Sequence, residues 1–362
     1  MPAAGGGRPP LQHRADGRRI RSAVPGAAGG KGAAVKQRIL FGAGIGISLG
    51  LLAWTLQGLH WGEVAGMARG LRGGWLLAGA LFYFVAVALR AWRWGDLLAG
   101  VQPVRFPDRF VALTIGYMGN NLYPARAGEL LRAYVLRRRT GLSVSAALAT
   151  IVIERVFDGL MVALLALGAL LFVPLPPALY PLVLGGALAF GGALLLLMAA
   201  AAGAPWLRQG LDRLGGQGAG PVGARWAGIA GRFLEGLMAL RRPSRAVRVG
   251  AVTALIWLAE AATYALVMQA FPVRSSFLAL LVMVAAANLA TALPAAPGYL
   301  GTFEAPGVMV LRAFGLPSAV AIAYTLLLHL ILWLPITLLG LLLSLREGLR
   351  GPVPAVGAEE GA

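Results

Sequence analysis

Six long hydrophobic stretches divide the chain, and each is long enough to cross a membrane as a helix. The hydrocarbon core of a bilayer is about 30 Å thick, which a helix of about 20 residues spans. The pattern therefore predicts an all-α polytopic membrane protein with about six full transmembrane helices. These predicted spans lie at about 37–57, 75–96, 143–173, 180–202, 248–271 and 317–345.

Two further hydrophobic segments are interrupted near the middle by proline, glycine and polar residues. The first is 108–138, interrupted at 120–128, and the second is 277–314, interrupted at 293–301. An arm of about 14 residues reaches only about 21 Å as a helix, so it cannot cross the hydrocarbon core. We expect both segments to be re-entrant helical hairpins, whose broken backbone is buried in protein or lines a wet cavity.

The two interruptions share the pattern Pro-Ala-x-x-Gly and occupy corresponding places in the two halves of the chain, about 36–175 and 179–346. Three full helices in each half would give the halves opposite orientations in the membrane. The sequence therefore predicts an inverted repeat, an architecture common in transporters. The residues expected to break the helices are Pro124, Gly128, Pro294, Pro297, Gly298 and Gly301.

Composition agrees with a membrane protein and excludes other classes. Hydrophobic residues make up 58% of the chain and charged residues only 13%, whereas soluble domains carry about 25% charged residues. This argues against a soluble enzyme and against a nucleic-acid partner, despite the net charge of +18. With no cysteine, three scattered histidines and no GxxxxGK[ST] motif, we expect no metal and no other cofactor.

The basic residues predict the orientation. If both termini are cytoplasmic, 24 of the 32 Lys and Arg residues fall on the inner side and four on the outer side. We expect a disordered basic cytoplasmic tail at 1–35, one transmembrane domain at 36–346 and a short cytoplasmic tail at 347–362. The loop 203–249 should carry an amphipathic helix that lies on the anionic inner leaflet.

Charged and polar residues inside the membrane segments are the functional candidates, because each charge costs roughly 2.5–3.5 kcal/mol there. No catalytic residue is assigned among them. The candidate substrate-binding residues are Asn120, Asn121, Arg126, Glu129, Arg132, Glu154, Arg155, Asp158, Glu260, Asn288, Thr302 and Glu304.

These residues suggest an anion-binding cavity. Helix N-termini near Ala125 and Thr302 would direct partial positive charge inward, with Thr302 as a cap. Arg126, Arg132 or Arg155 could bind a phosphate with two hydrogen bonds. The alternative is that the charges neutralise one another and only hold the hairpins in place.

Other residues of these segments have a simpler interpretation. We expect His329 to be a packed core histidine. Arg90-Ala-Trp-Arg-Trp94 follows an interfacial pattern, in which Trp92 and Trp94 anchor the helix end and Arg90 extends towards water.

Several motifs resemble those of the flippase-like family that includes the membrane region of lysylphosphatidylglycerol synthases. They are the runs at 90–94, 116–134, 154–159 and 293–304, and the similarity covers about 40–345. The resemblance implies that the protein moves a lipid headgroup between the leaflets of a prokaryotic inner membrane. The chain ends about 17 residues after its last predicted span, so we expect the aminoacyl-transfer domain of the bifunctional synthases to be absent.

Three functions remain open from the sequence. The first is translocation of a phospholipid or lipid-linked headgroup between the hairpins. The second is an integral-membrane transferase acting on a lipid, in which Glu129, Asp158 or Glu304 would serve as the base. The third is a non-catalytic membrane partner of a separate soluble synthase.

Overall fold

In the part of the chain that the computed structural model describes, ten α-helices have defined bounds. Within the described ranges the chain forms no β-strand. The described residues are 45–57, 70–123, 126–172, 177–201, 242–292 and 296–349, with single positions at 42, 62 and 228. The helices are α1 (Ile45–Leu56), α2 (Gly73–Leu98), α3 (Phe106–Leu122), α4 (Ala127–Thr140), α5 (Val144–Ala169), α6 (Tyr180–Ala201), α7 (Pro243–Met268), α8 (Phe277–Ala290), α9 (Glu304–Ala313) and α10 (Ser318–Arg346).

Four helices are long and apolar enough to cross a membrane: α2, α7, α10, and α6 together with the short 3-10 turn before it. They confirm four of the six predicted spans. Helix α5 has 26 residues and reaches about 39 Å, but it carries three charges, at Glu154, Arg155 and Asp158. Of the first predicted span, the structure describes the helix Ile45–Leu56. A total of six spans, and the re-entry of the short helices, remain predictions.

Several predicted features lie outside the described residues. Among them are Pro124 and Pro294 in the two hairpin breaks. The N-terminal tail and the last residues of the C-terminal tail lie outside as well. So does most of the predicted loop 203–249, from 203 to 241 except position 228, with its predicted amphipathic helix.

Short polar residues fix the starts of two central helices. The Ser143 hydroxyl accepts a hydrogen bond from the Ala146 N–H before α5, and the Ser276 hydroxyl does the same for Ala279 before α8. Such caps satisfy backbone donors that the first turn of a helix leaves unpaired. Both helices therefore begin at defined residues.

Helices α2 and α7 pack against each other as an antiparallel pair. Near the end of α2, Asp96 pairs with Arg248 near the start of α7, at 3.5 Å. At the opposite end, Arg72 precedes α2 and donates a hydrogen bond of 2.8 Å to the Gln269 carbonyl oxygen that follows α7. The two helices thus run side by side over their whole length.

The pairs α3–α4 and α8–α9 open towards opposite ends of α10. Arg139, at the end of α4, pairs with Asp108 near the start of α3 and with Glu347 just after α10. The end of α9 instead leads directly into the start of α10.

Burial raises the pKa of Asp108, but hydrogen bonds from Arg139 and Arg105 lower that pKa by more, so Asp108 stays ionised at neutral pH.

The closed tips of the two helix pairs meet. Arg126, at the tip of the first pair, donates a hydrogen bond of 2.7 Å to the Thr291 carbonyl oxygen at the tip of the second pair. Its guanidinium also lies 5.9 Å from the centre of the Tyr299 ring. The tip regions thus form one common wall in the interior of the bundle.

The crossing of α3 and α4 requires glycine. A Cβ atom on Gly128 would lie 2.0 Å from the Gly116 carbonyl oxygen and 2.4 Å from the Asn120 backbone nitrogen. Backbone atoms cannot move away as a flexible side chain can. The close approach therefore explains why this predicted break position is glycine.

Replacing Gly128 by alanine should separate α3 from α4 and destabilise the protein. We expect a loss of about 1–3 kcal/mol in the free energy of unfolding, the usual cost of overpacking. Thermal unfolding in detergent measures it. The matched control is Gly168→Ala in α5, where an added Cβ meets no atom within 4 Å. Equal stability of the two variants would contradict the tight crossing.

Candidate headgroup-binding cavity

A polar cavity of about 160 Å³ lies where the hairpin tips meet α2, α5, α7 and α10. A single water molecule needs only about 10–15 Å³ on this measure, so the space suits a small polar group with several waters. The polar and ionisable residues lining the cavity are Tyr83, Arg90, Tyr117, Asn120, Asn121, Arg126, Arg155, Asp158, Glu260, Asn288, Thr291, Tyr299 and His329.

Arg126 is the cation of this cavity that no carboxylate neutralises among the described residues. It precedes α4 in a left-handed backbone conformation, with φ of 54° and ψ of 35°. This conformation is uncommon for residues other than glycine, and it places the side chain at the tip of the hairpin. The guanidinium donates to the Thr291 carbonyl oxygen, which carries no formal charge.

Arg90 and Glu260 form an ion pair between α2 and α7 and also line the cavity. Their side chains are 7% and 8% exposed, and the Arg90 guanidinium lies 5.4 Å from the centre of the Trp257 ring. The pair links α2 to α7, and its two opposite charges neutralise each other.

A second group of ion pairs is almost fully buried beside the cavity. Arg93 contacts Asp158 through two hydrogen bonds of 2.5 and 3.0 Å, and Glu154 at 3.2 Å. Arg132 pairs with the other oxygen of Glu154 at 2.6 Å and stacks 3.6 Å from the centre of the Trp94 ring. We call Arg93, Arg132, Glu154 and Asp158 the buried cluster; it joins α2 and α4 to α5.

Each helix pair is also bound to the long helix that follows it. Glu129 of α4 pairs with Arg155 of α5 at 3.1 Å. Glu304 of α9 lies 2.5 Å from Nδ1 of His329 on α10, and its other oxygen accepts a 2.7 Å hydrogen bond from the Gly301 N–H. In both cases a carboxylate at the start of the returning helix meets a cationic or titratable side chain.

The predicted cap at Thr302 is wrong. Helix α9 begins at Glu304 after Phe303, which provides no side-chain cap. Thr302 instead donates a 3.0 Å hydrogen bond to the Tyr299 carbonyl oxygen. The Glu304 carboxylate accepts a hydrogen bond from the backbone N–H of Gly301, which lies in the turn before the helix.

The interfacial interpretation of the end of α2 is wrong in part. Trp92 is exposed, but Arg90, Arg93 and Trp94 are buried, at 6%, 1% and 0% exposure. Arg93 holds the buried cluster together, and the Trp94 ring nitrogen donates to the Thr150 hydroxyl at 2.9 Å. The two arginines face carboxylates of α5 and α7 that the sequence pattern alone could not pair with them.

The asparagines divide into two roles. Asn121 donates to the Thr337 hydroxyl at 2.8 Å, and Asn288 donates to the Val284 carbonyl oxygen at 2.9 Å, so both amides bind protein. Asn120 lines the cavity, and its buried Oδ1 has no hydrogen-bond partner in the protein. It is therefore a buried acceptor at the cavity wall that the protein leaves unpaired.

The structure thus brings together seven of the twelve candidate binding residues at the cavity wall. Glu129 and Glu304 do not line this cavity, but each pairs with a residue that does, Arg155 or His329. Arg132, Glu154 and Thr302 are buried and also do not line it. Sequence reasoning missed Arg90, His329 and the aromatic residues Tyr83, Tyr117, Trp257, Tyr299 and Trp333 as lining residues. The sequence did contain a signal for Arg90: it lies within a predicted span, where a charged side chain requires a partner.

An apolar groove of about 290 Å³ adjoins the polar cavity on the α10 side. The groove and the cavity share His329 and Trp333. Leu300 and Leu330, at its rim, are 45% and 49% exposed. A hydrocarbon chain in the groove would therefore lie next to a polar group in the cavity.

Within the described ranges, no three His, Asp or Glu side chains are grouped as metal ligands.

Comparisons with known proteins agree with this architecture. The chain is 28% identical over 285 residues to a UPF0104 membrane protein of Methanothermobacter thermautotrophicus, covering 73% of this chain and 80% of that protein. It is 31% identical over 134 residues to the glycosyltransferase AglD of Haloferax volcanii, covering 36% of this chain and 21% of that protein. No solved structure matches significantly.

The sequence model of one family covers most of the described helices. Its description is the lysylphosphatidylglycerol synthase transmembrane region, and it matches residues 41–340. The matched region contains every helix from α1 to α9 and most of α10, together with all residues of the cavity. The chain therefore belongs to the family of the lysylphosphatidylglycerol synthase transmembrane region.

Proposed function

We propose that this protein moves an anionic phospholipid or lipid-linked headgroup across the membrane through the polar cavity. The observation that carries the proposal is the Arg126 guanidinium, which contacts no carboxylate among the described residues. Within the described ranges, five guanidinium groups lie in and beside the cavity, and four of them contact carboxylates. Arg90, Arg93, Arg132 and Arg155 are matched by acids, whereas Arg126 is not.

An unmatched cation inside a membrane protein is costly unless an anion joins it. A phosphate group bound by a guanidinium gains two charge-assisted hydrogen bonds, which fits Arg126 at the cavity wall. The adjoining apolar groove offers space for the hydrocarbon part of the same molecule. Together these features favour an amphipathic anion over a soluble one.

The arrangement of the two halves supports a transporter. Helix α3 packs on α10 and α8 packs on α5, and each helix pair also packs on the long helix that follows it. Arg90 and Glu260 are 170 residues apart, which is also the separation between the two Pro-Ala-x-x-Gly motifs. Such correspondence is expected of an inverted repeat with its site at the interface of the halves.

The partial relative named as a glycosyltransferase makes a transferase the second candidate. Two of the three carboxylates proposed as its base argue against it, whereas the third, Glu304, pairs with His329 and not with an arginine. Glu129 and Asp158 are held by Arg155 and Arg93, and a carboxylate in such a pair is a weak proton acceptor. We therefore favour transport over chemistry.

Reconstitution in liposomes tests the proposal. Dithionite bleaches only the outer leaflet, so a fluorescent phosphatidylglycerol reports movement between leaflets. We expect full-length protein to raise the bleached fraction well above that of protein-free vesicles. Bleaching equal to that of the protein-free vesicles, under imposed proton and sodium gradients as well as without them, would contradict the proposal.

A further inference from the structure

The Glu304–His329 pair differs in kind from every other carboxylate contact in the described part of the chain. The other seven described carboxylates all pair with arginine, which stays protonated at any physiological pH. Glu304 alone among them pairs with histidine, and imidazole is the side chain whose ordinary pKa falls between pH 5 and 8. Unlike guanidinium, an imidazole side chain can be neutral or protonated at physiological pH.

The contacts of the pair indicate where that proton binds. One oxygen of Glu304 accepts a hydrogen bond from the Gly301 N–H, and the other lies 2.5 Å from His329 Nδ1. An ionised carboxylate can only accept, so with Glu304 ionised the Nδ1 proton is engaged, and an added proton binds at Nε2 and converts the imidazole to imidazolium. Phe303 lies against the imidazole ring, with 4.6 Å between the ring centres, and fixes its position.

The surroundings allow few competing titrations. The arginines stay charged, the acids are bound to arginines, and phenol groups ordinarily titrate near pH 10. The ionisable groups around the pair on the neighbouring elements are Tyr83, Arg90, Tyr117, Arg126, Arg155, Asp158, Glu260, Tyr264 and Tyr299.

We propose that His329 takes up one proton from water when an anionic headgroup binds beside Arg126, so that the headgroup and a proton are bound together. This inference rests on the proposed function. His329 and Arg126 line the same cavity, and an imidazolium there adds a second positive charge that Glu304 stabilises. By linkage, the anion strengthens proton binding by the same factor by which the proton strengthens anion binding. Release of both on the other side would couple transport to the proton gradient.

Calorimetry with a short-chain lipid tests the proposal on the full-length protein in detergent. Dihexanoyl phosphatidylglycerol keeps one negative charge from pH 6 to 8, so any change in affinity reports the protein. We expect its Kd to be at least tenfold higher at pH 8 than at pH 6, because one linked proton changes affinity by up to tenfold per pH unit. Titrations in two buffers of different ionisation enthalpy should show uptake of up to one proton per lipid.

Two variants test whether the Glu304–His329 pair takes up the proton. Glu304→Gln combined with His329→Gln removes both titratable partners, and the Kd should then change less than twofold between pH 6 and 8. The matched control is Glu347→Gln, at the end of α10 outside the cavity, which should keep the pH dependence of the wild type.

Two outcomes overturn the proton inference alone: a wild-type Kd that changes less than twofold from pH 6 to 8, or a double variant that keeps the tenfold change. In either case binding itself would still support the proposed function. Absence of binding at both pH values would overturn the headgroup proposal and the proton inference together.

Discussion

Replacing Arg126 by glutamine should slow translocation of a fluorescent phosphatidylglycerol in liposomes by about 10- to 100-fold. A hydrogen bond to a charged group is worth about 1.5–3 kcal/mol, and each 1.4 kcal/mol is a factor of ten. Glutamine can still donate to the Thr291 carbonyl oxygen, so the hairpin tips can stay in contact. The loss should therefore reflect the missing positive charge and the missing guanidinium fork.

Two further variants separate charge from folding. Arg126→Lys keeps the charge without the planar fork, so its rate should lie between those of the wild type and Arg126→Gln. Arg312→Gln, an exposed arginine in the last turn of α9, is the matched control and should leave the rate within twofold. An Arg126→Gln protein that folds and transports at the wild-type rate would remove the main support for the headgroup site.

Replacing Arg93 by methionine should destabilise the protein by about 3–5 kcal/mol, the cost of leaving a buried charge without its partner. Arg93 is 1% exposed and holds both Asp158 and Glu154. After the replacement, Arg132 still pairs with Glu154, but Asp158 loses its two short hydrogen bonds. Reversible unfolding in mixed SDS micelles measures the difference in free energy.

A second substitution tests the reason for the loss. Asp158→Asn added to Arg93→Met removes the orphaned charge and should restore a large part of the stability. The control is Arg105→Met: the Arg105 side chain is 85% exposed while pairing with Asp108, and its removal should cost less than about 1 kcal/mol. No rescue by Asp158→Asn would show that the loss has another cause.

The sequence predicts the long helices well because a membrane imposes a simple pattern. The predicted spans at 75–96, 180–202, 248–271 and 317–345 agree with α2, α6, α7 and α10 to within a few residues. Length and hydropathy suffice for this, because a spanning segment must form its backbone hydrogen bonds internally, as a helix, and expose apolar side chains to lipid.

The partners of the charges could not be predicted in the same way. Hydropathy places Arg93 at the end of an apolar run, where an arginine usually faces water; only the packing of α2 on α5 shows that Asp158 and Glu154 meet it. Glu304 at a hairpin break was predictable as a candidate, but its pairing with His329 on α10 depends on how α9 returns along that helix.

The most direct test of the central claim is to locate the headgroup itself. A phosphatidylglycerol analogue with a photoreactive diazirine in the headgroup can be cross-linked to the protein in liposomes and the modified residues mapped by mass spectrometry. We predict modification of cavity residues such as Tyr299, Asn288 and Trp333, and its loss in Arg126→Gln. Modification confined to exposed residues outside the cavity, and unchanged in Arg126→Gln, would contradict a headgroup site between the hairpin tips.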